Sequence, residues 1–257
     1  MTANKIAETA ITQNAEAVVS HGPHISIKAE TLFELFGFPV TNSLLTSWIV
    51  VFLLVLLALS YNRNRFVTSL LNLILKPIYS LFAGVFGDKI EVFFPLVMTY
   101  FLYILSLNWL GLLPGVGTIL LKVHDESIPL LRAGTADLNT TLAFGFMSIF
   151  MVQYYAVRYL GWGKYLKKFF NFANPIKAFV GLLEVVSEFS KAISFSFRLF
   201  GNIFAGEVLL TVIAFLVPVL ASFPFLLFEF FVGFIQALVF AMLSSIFISV
   251  AIADHGH

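Results

Sequence analysis

Residues 230–253 read FFVGFIQALVFAMLSSIFISVAIA, a run without a single Asp, Glu, Lys or Arg. An α-helix needs roughly 20 apolar residues to cross a bilayer, so this stretch is long enough to span one. Working outward, further uncharged runs occupy 35–62, 92–121, 138–157 and 208–228. Of the 257 residues, 60% are hydrophobic and 11% are Asp, Glu, Lys or Arg, whereas soluble domains carry roughly 25% charged residues. Too little polar surface remains to clothe a water-soluble core of this size. The alternating apolar and polar segments of a membrane β-barrel are absent. The composition predicts an all-α polytopic membrane protein.

The clumped charges divide the chain. Five transmembrane helices are expected at about 42–60, 92–116, 139–157, 178–216 and 225–250, within one membrane domain covering 35–257. The last two form a long helical hairpin broken around Pro218 to Pro224, and the first of them is too long to stand upright, so it should be tilted. Segment 66–87 could also span by length, but Lys76 and Pro77 sit in its middle. A lysine at mid-bilayer costs about 3 kcal/mol, and proline removes a helix hydrogen bond. The segment is therefore read as an interfacial helix whose lysine snorkels, with a sixth span as the alternative. Loops 61–91 and 158–177 carry four and five Lys or Arg, against two in loop 119–137. The positive-inside rule puts the first two in the cytoplasm. The polar, net acidic tail 1–34 then lies outside and the C-terminus inside. That tail lacks the basic and apolar regions of a cleaved signal peptide.

Several function classes drop away. Without cysteine there is no disulfide or thiolate chemistry. There is no G-x-x-x-x-G-K nucleotide loop, and no basic-aromatic surface for nucleic acid. No cofactor or metal site is expected. A stand-alone ion-coupled secondary transporter stays a lesser alternative, since the matched halves usual in that class are not visible.

The informative residues lie in the hairpin. Along its first helix, Glu184, Ser187, Glu188, Lys191, Arg198 and Asn202 fall within an arc of roughly 100°, a stripe about five turns long. Ser190 and Ser194 add polar groups, and Glu207 stands on nearly the opposite side from Arg198. A scaffold has no use for such a stripe, because ionisable groups inside a membrane are expensive and mark functional paths. Antiparallel pairing brings Glu207 level with Glu229, and Arg198 level with Gln236. It fixes depth but not facing. Gly201, Gly206 and Gly233 would permit close approach. Two carboxylates close together in low dielectric cannot both stay ionised comfortably, which suits a proton relay. Arginine keeps its proton at any working pH. A proton path and a buried structural Arg–Glu pair both remain open on these residues alone.

The strings SFSFRLFGNIFAGE (194–207) and FEFFVGFIQALVFAMLSSIFI (228–248) resemble subunit a of the F-type ATP synthase membrane sector. LNWLGLLPG (107–115), RAGTADLNTTLA (132–143) and NPIKAF (174–179) are similar to its other segments, in the same order. The resemblance covers about 30 to 250. It implies a non-catalytic stator subunit that carries protons through two offset half-channels to and from the carboxylates of a rotor ring, driving ATP synthesis. Sodium coupling is the alternative. Arg198 resembles the essential arginine facing the ring, with Asn202 and Gln236 as polar neighbours. Glu207 and Glu229 resemble the outer half-channel, and some relatives have histidine where Glu229 stands. Glu184, with Ser187, Ser190 and Ser194, resembles the edge of the cytoplasmic path. Glu188 and Lys191 would line that exit or pair with each other, and Asp137 with Asn139 would shape the entrance. Implied partners are a ring of small c-type hairpin subunits, peripheral-stalk b-type subunits, the rest of the complex, and lipid. The implied location is a bacterial inner membrane.

Overall fold

Helices appear where uninterrupted apolar sequence leaves the backbone no hydrogen-bond partner but itself. The computed structural model describes residues 29–253 except 36, 62, 114–119, 124–125, 170–174 and 218–221. Most of the N-terminal tail, residues 254–257 and part of the hairpin turn therefore lie outside the described residues. Among the described residues, seven α-helices follow in order: α1 (Asn42–Tyr61), α2 (Arg65–Phe86), α3 (Ile90–Leu112), α4 (Leu138–Leu160), α5 (Trp162–Phe169), α6 (Pro175–Leu216) and α7 (Ser222–Ile252). Five helical stretches among the described residues are long and apolar enough to cross a membrane: α1, the nearly continuous Arg65–Leu112, α4, α6 and α7.

Helices occupy the stretches expected of the spans, with shifted ends. The second stops at Leu112, short of 116, while α6 and α7 each begin three residues earlier than expected, at Pro175 and Ser222. Pro224 sits in the first turn of α7, where its missing N–H costs no helix bond. Two short antiparallel hairpins add to the helices, pairing β1 (Thr31–Leu35) with β2 (Phe38–Thr41), and β3 (Leu120–Val123) with β4 (Glu126–Pro129). They fold segments that the sequence marked only as polar tail and loop.

The bundle is organised around α7. Antiparallel α3 packs along it, setting the Tyr100 ring against Phe240 and Phe101 against Phe234. Parallel α4 contributes the Ser148–Ser244 hydroxyl contact at 2.7 Å and Phe144 against Phe240. In the α6–α7 hairpin, Phe195 meets Phe240 and Phe247. The core fills with Phe82, Phe93, Phe101, Ile104, Leu199 and Ile248, all fully buried. At 1.5 Å per residue, the 42-residue α6 is roughly 63 Å long, about twice the hydrocarbon thickness. It cannot cross upright.

Helix α2 runs unbroken through Pro77 and buries one stripe, Ile78, Phe82 and Phe86, leaving Lys76 exposed. Near its start, Asn72 accepts from the Tyr61 hydroxyl at the end of α1; near its end, the Val85 carbonyl accepts from Ser249 at the end of α7.

Candidate functional site

Arg198 lies near the middle of α6, about 34 Å along it from Pro175. Its side chain is exposed and has no hydrogen bond or ion pair among the described residues. Asn202, one turn on and on the same face, is half-buried. Ser194, one turn back, is exposed. Gln236 is buried, 7% exposed. Although the hairpin register sets it level with Arg198, no hydrogen bond joins the two. The guanidinium is always charged, and among the described residues none offers it an anion.

Beyond Arg198 toward the α6 C-terminus, polar groups from five segments converge. Arg132 Nε donates to both oxygens of Glu207, at 3.1 and 3.2 Å. Arg132 is 7% exposed, and its backbone N–H donates to Thr46 Oγ1 on α1 at 3.3 Å. The Glu229 carboxyl lies directly against Gly206, and a Cβ there would collide with it. This confirms the hairpin register, since Gly206 adjoins Glu207. Glu229 is 5% exposed, and its Oε1 is buried without a hydrogen bond. Of the three hairpin glycines, only Gly206 makes the close approach. Gly201 has open space, and Gly233 instead meets Asn108 of α3, whose amide donates to the Gly233 carbonyl at 3.0 Å. Thr135 in turn donates to Asn108. Asp137 caps α4, accepting from Asn139 N–H and Thr140 Oγ1 at 3.2 Å each. That tie fixes the helix start, while Asn139 is exposed.

A second cluster lies on the other side of Arg198. Lys191 Nζ donates to Glu188 Oε1 at 2.8 Å, so these two pair with each other. Gln153 of α4 donates to Glu188 Oε2 at 2.8 Å and accepts from the Tyr165 hydroxyl of α5 at 2.8 Å. Burial, and then the nearby Glu188 charge, raise the Tyr165 hydroxyl above its ordinary pKa, which keeps it a donor. These groups and Glu184 border a cavity of about 90 Å³, lined also by Phe247. Ser187 is half-buried on the same helix, and Ser190 is exposed. Along α6 the Lys191 cluster lies about 10 Å from Arg198 and Glu207 about 13 Å. Two polar clusters thus flank one exposed cation.

Residues 43–249 match the ATP synthase A chain family. The chain belongs to that family. It is 31% identical over 236 residues to ATP synthase subunit a of Moorella thermoacetica, covering 90% of this chain and 99% of that one. Identity to ATP synthase subunit a of Gloeobacter violaceus is 35% over 220 residues, 83% of this chain and 85% of the other. The Legionella pneumophila (strain Paris) subunit a is 30% identical over 237 residues, 88% and 93% respectively. Membership in the subunit a family makes the chain the proton-channel stator component of an ATP synthase complex.

Sequence reasoning passed over Arg132, Gln153, Tyr165 and Asn108. Gln153 was detectable as a polar residue inside the uncharged run 138–157. Tyr165 had no such signal, because only the reversal of the chain through α5 returns it to α4.

Proposed function

We propose that the chain passes protons through two offset half-channels, to and from the carboxylates of a ring of small hairpin subunits. The ring seats on the exposed Arg198 face of α6, and peripheral-stalk subunits hold the chain still. The outer half-channel runs past Glu229, Glu207 and Asn108, and the cytoplasmic one past Glu188, Glu184, Gln153 and the α6 serines. One observation carries this reading: an exposed cation, with no anion beside it among the described residues, stands between two polar clusters on one apolar helix. A ring carboxylate reaching Arg198 exchanges its proton for the guanidinium, so no proton passes directly from one cluster to the other. Asn202 and Gln236 are level with that exchange. One elementary charge crossing 100 mV releases about 2.3 kcal/mol, so several protons must drive each ATP.

Within this reading the protein sits in a bacterial inner membrane, with β1–β2 outside and α5 at the cytoplasmic surface. Helix α2, roughly 33 Å long, lies along that surface. Its start bonds to the end of α1 and its end to the end of α7, which supports both ends of α2 being on one side.

The test is ATP-driven proton pumping in inverted membrane vesicles. Arg198→Ala should abolish pumping at unchanged abundance. Arg198→Lys should nearly do so, since lysine can shed its proton in low dielectric and lacks the planar fork. Normal pumping by either variant defeats the assignment.

A further inference from the structure

Behind α6 lies a groove of about 410 Å³ between α4, α5 and α6. Its walls are Ile149 and Phe150 of α4, Leu166 and Phe169 of α5, and Val185 and Phe189 of α6. The polar groups at one end, Gln153, Tyr165 and Glu188, are already bonded to one another. At 100° per residue, Val185 and Phe189 lie roughly 140–180° around α6 from Arg198. A partner seated on Arg198 therefore leaves this groove uncovered.

We propose that the groove holds one acyl chain of an anionic phospholipid, whose headgroup rests near the exposed bases Arg158, Lys164 and Lys177. Three observations support a lipid. The groove lies between two helices long and apolar enough to span, α4 and α6, so it opens sideways where hydrocarbon lies. Its lining is apolar apart from Gln153, Tyr165 and Glu188, which are bonded to one another. An extended hydrocarbon chain is thin enough to enter.

The third observation is charge. Segment 158–177 contains Arg158, Lys164, Lys167, Lys168 and Lys177 and no acidic residue. Arg158, Lys164 and Lys177 are exposed. Arg158 stands about 8 Å beyond Gln153 along α4, the direction a headgroup would take from a chain lying in the groove. The acid at the groove mouth, Glu188, already has Lys191 at 2.8 Å as its counter-charge. Basic surfaces between membrane helices attract anionic headgroups. Within α5, Leu166 and Phe169 line the groove, while Lys164 falls on the opposite side of the helix. That division suits a helix roofing a lipid at the membrane surface.

The experiment uses the whole complex, reconstituted with equal phosphatidylglycerol and phosphatidylcholine, re-extracted in mild detergent and weighed by native mass spectrometry. Val185→Trp fills the groove and should lose about one bound phosphatidylglycerol. The triple change Arg158→Gln, Lys164→Gln, Lys177→Gln should keep a bound lipid while its preference for phosphatidylglycerol falls at least roughly tenfold. The natural absence of cysteine permits a milder variant, Phe150→Cys. A thiol-reactive phospholipid chain should label it, and phosphatidylglycerol should compete better than phosphatidylcholine. Unchanged lipid in Val185→Trp, unchanged preference in the triple variant, or cross-linking of position 150 to another subunit would each overturn the proposal. Arg198→Ala should retain the lipid, which separates this inference from the proton path.

Discussion

Adding a single methyl group at Gly206 should throttle the outer half-channel without unfolding the protein. A Cβ built there falls on the carboxyl of Glu229. To reach ordinary contact, that carboxyl must withdraw by more than about 1 Å. It is the far end of a flexible side chain, so the helices can stay in place and Glu229 takes up the strain. Leaving its preferred rotamer costs about 0.5–1.5 kcal/mol. If Glu229 works only where it now lies, its working population falls by roughly two- to tenfold, since 1.4 kcal/mol corresponds to a factor of ten. Gly206→Ala should therefore slow ATP-driven pumping by about that factor at unchanged abundance. Glu229→Asp shortens the side chain by one methylene and makes the space. The double variant should be faster than the product of the single effects, giving a non-additive cycle. Initial rates of fluorescence quenching in inverted vesicles, normalised to the amount of complex, measure this. Wild-type pumping in Gly206→Ala, or strict additivity, would show that Glu229 does not act from this position.

Glu207→Gln removes the carboxylate that buried Arg132 holds, whereas Glu229→Gln breaks no hydrogen bond at Oε1, so only the first should lower abundance in a membrane immunoblot. In flux at matched abundance, each should be less damaging than Arg198→Ala, because water and the remaining carboxyl can still carry protons; an equal loss refutes the division of roles. Exchanging the pair as Arg132→Glu with Glu207→Arg should recover abundance relative to either single change, and no recovery would mean that the ion pair does not hold this end together. With a membrane-impermeant thiol reagent applied outside, Phe38→Cys should label, while Arg63→Cys and Lys164→Cys should not. Labelling at 164 would require α2 to cross the membrane and would invert both half-channels.

The sequence by itself determined the class and the map of this protein. Uncharged runs longer than a bilayer crossing leave helices as the available solution, because backbone groups in hydrocarbon can bond only within their own helix. The register of the hairpin was legible too: constant pairing in an antiparallel pair put Glu229 level with Glu207, and the carboxyl lies on Gly206. Depth follows from counting along a helix. Which groups touch does not follow from counting, because it depends on how each helix is rotated and on what packs behind it. Only the tertiary structure decided that Glu207 turns to Arg132, 75 residues away, and that Glu188 meets Gln153, 35 residues away. Gly233 likewise serves α3 and not the hairpin, and Arg198, level with Gln236, makes no hydrogen bond to it. The Arg132 contact comes from the loop that returns the chain to the bundle before the turn at Gly134–Ala136, and the others come from helix packed on helix. A one-dimensional pattern records the period of a helix and the sign of its charges. It does not record which distant segment supplies the counter-charge, since that is fixed by the packing of whole helices in three dimensions.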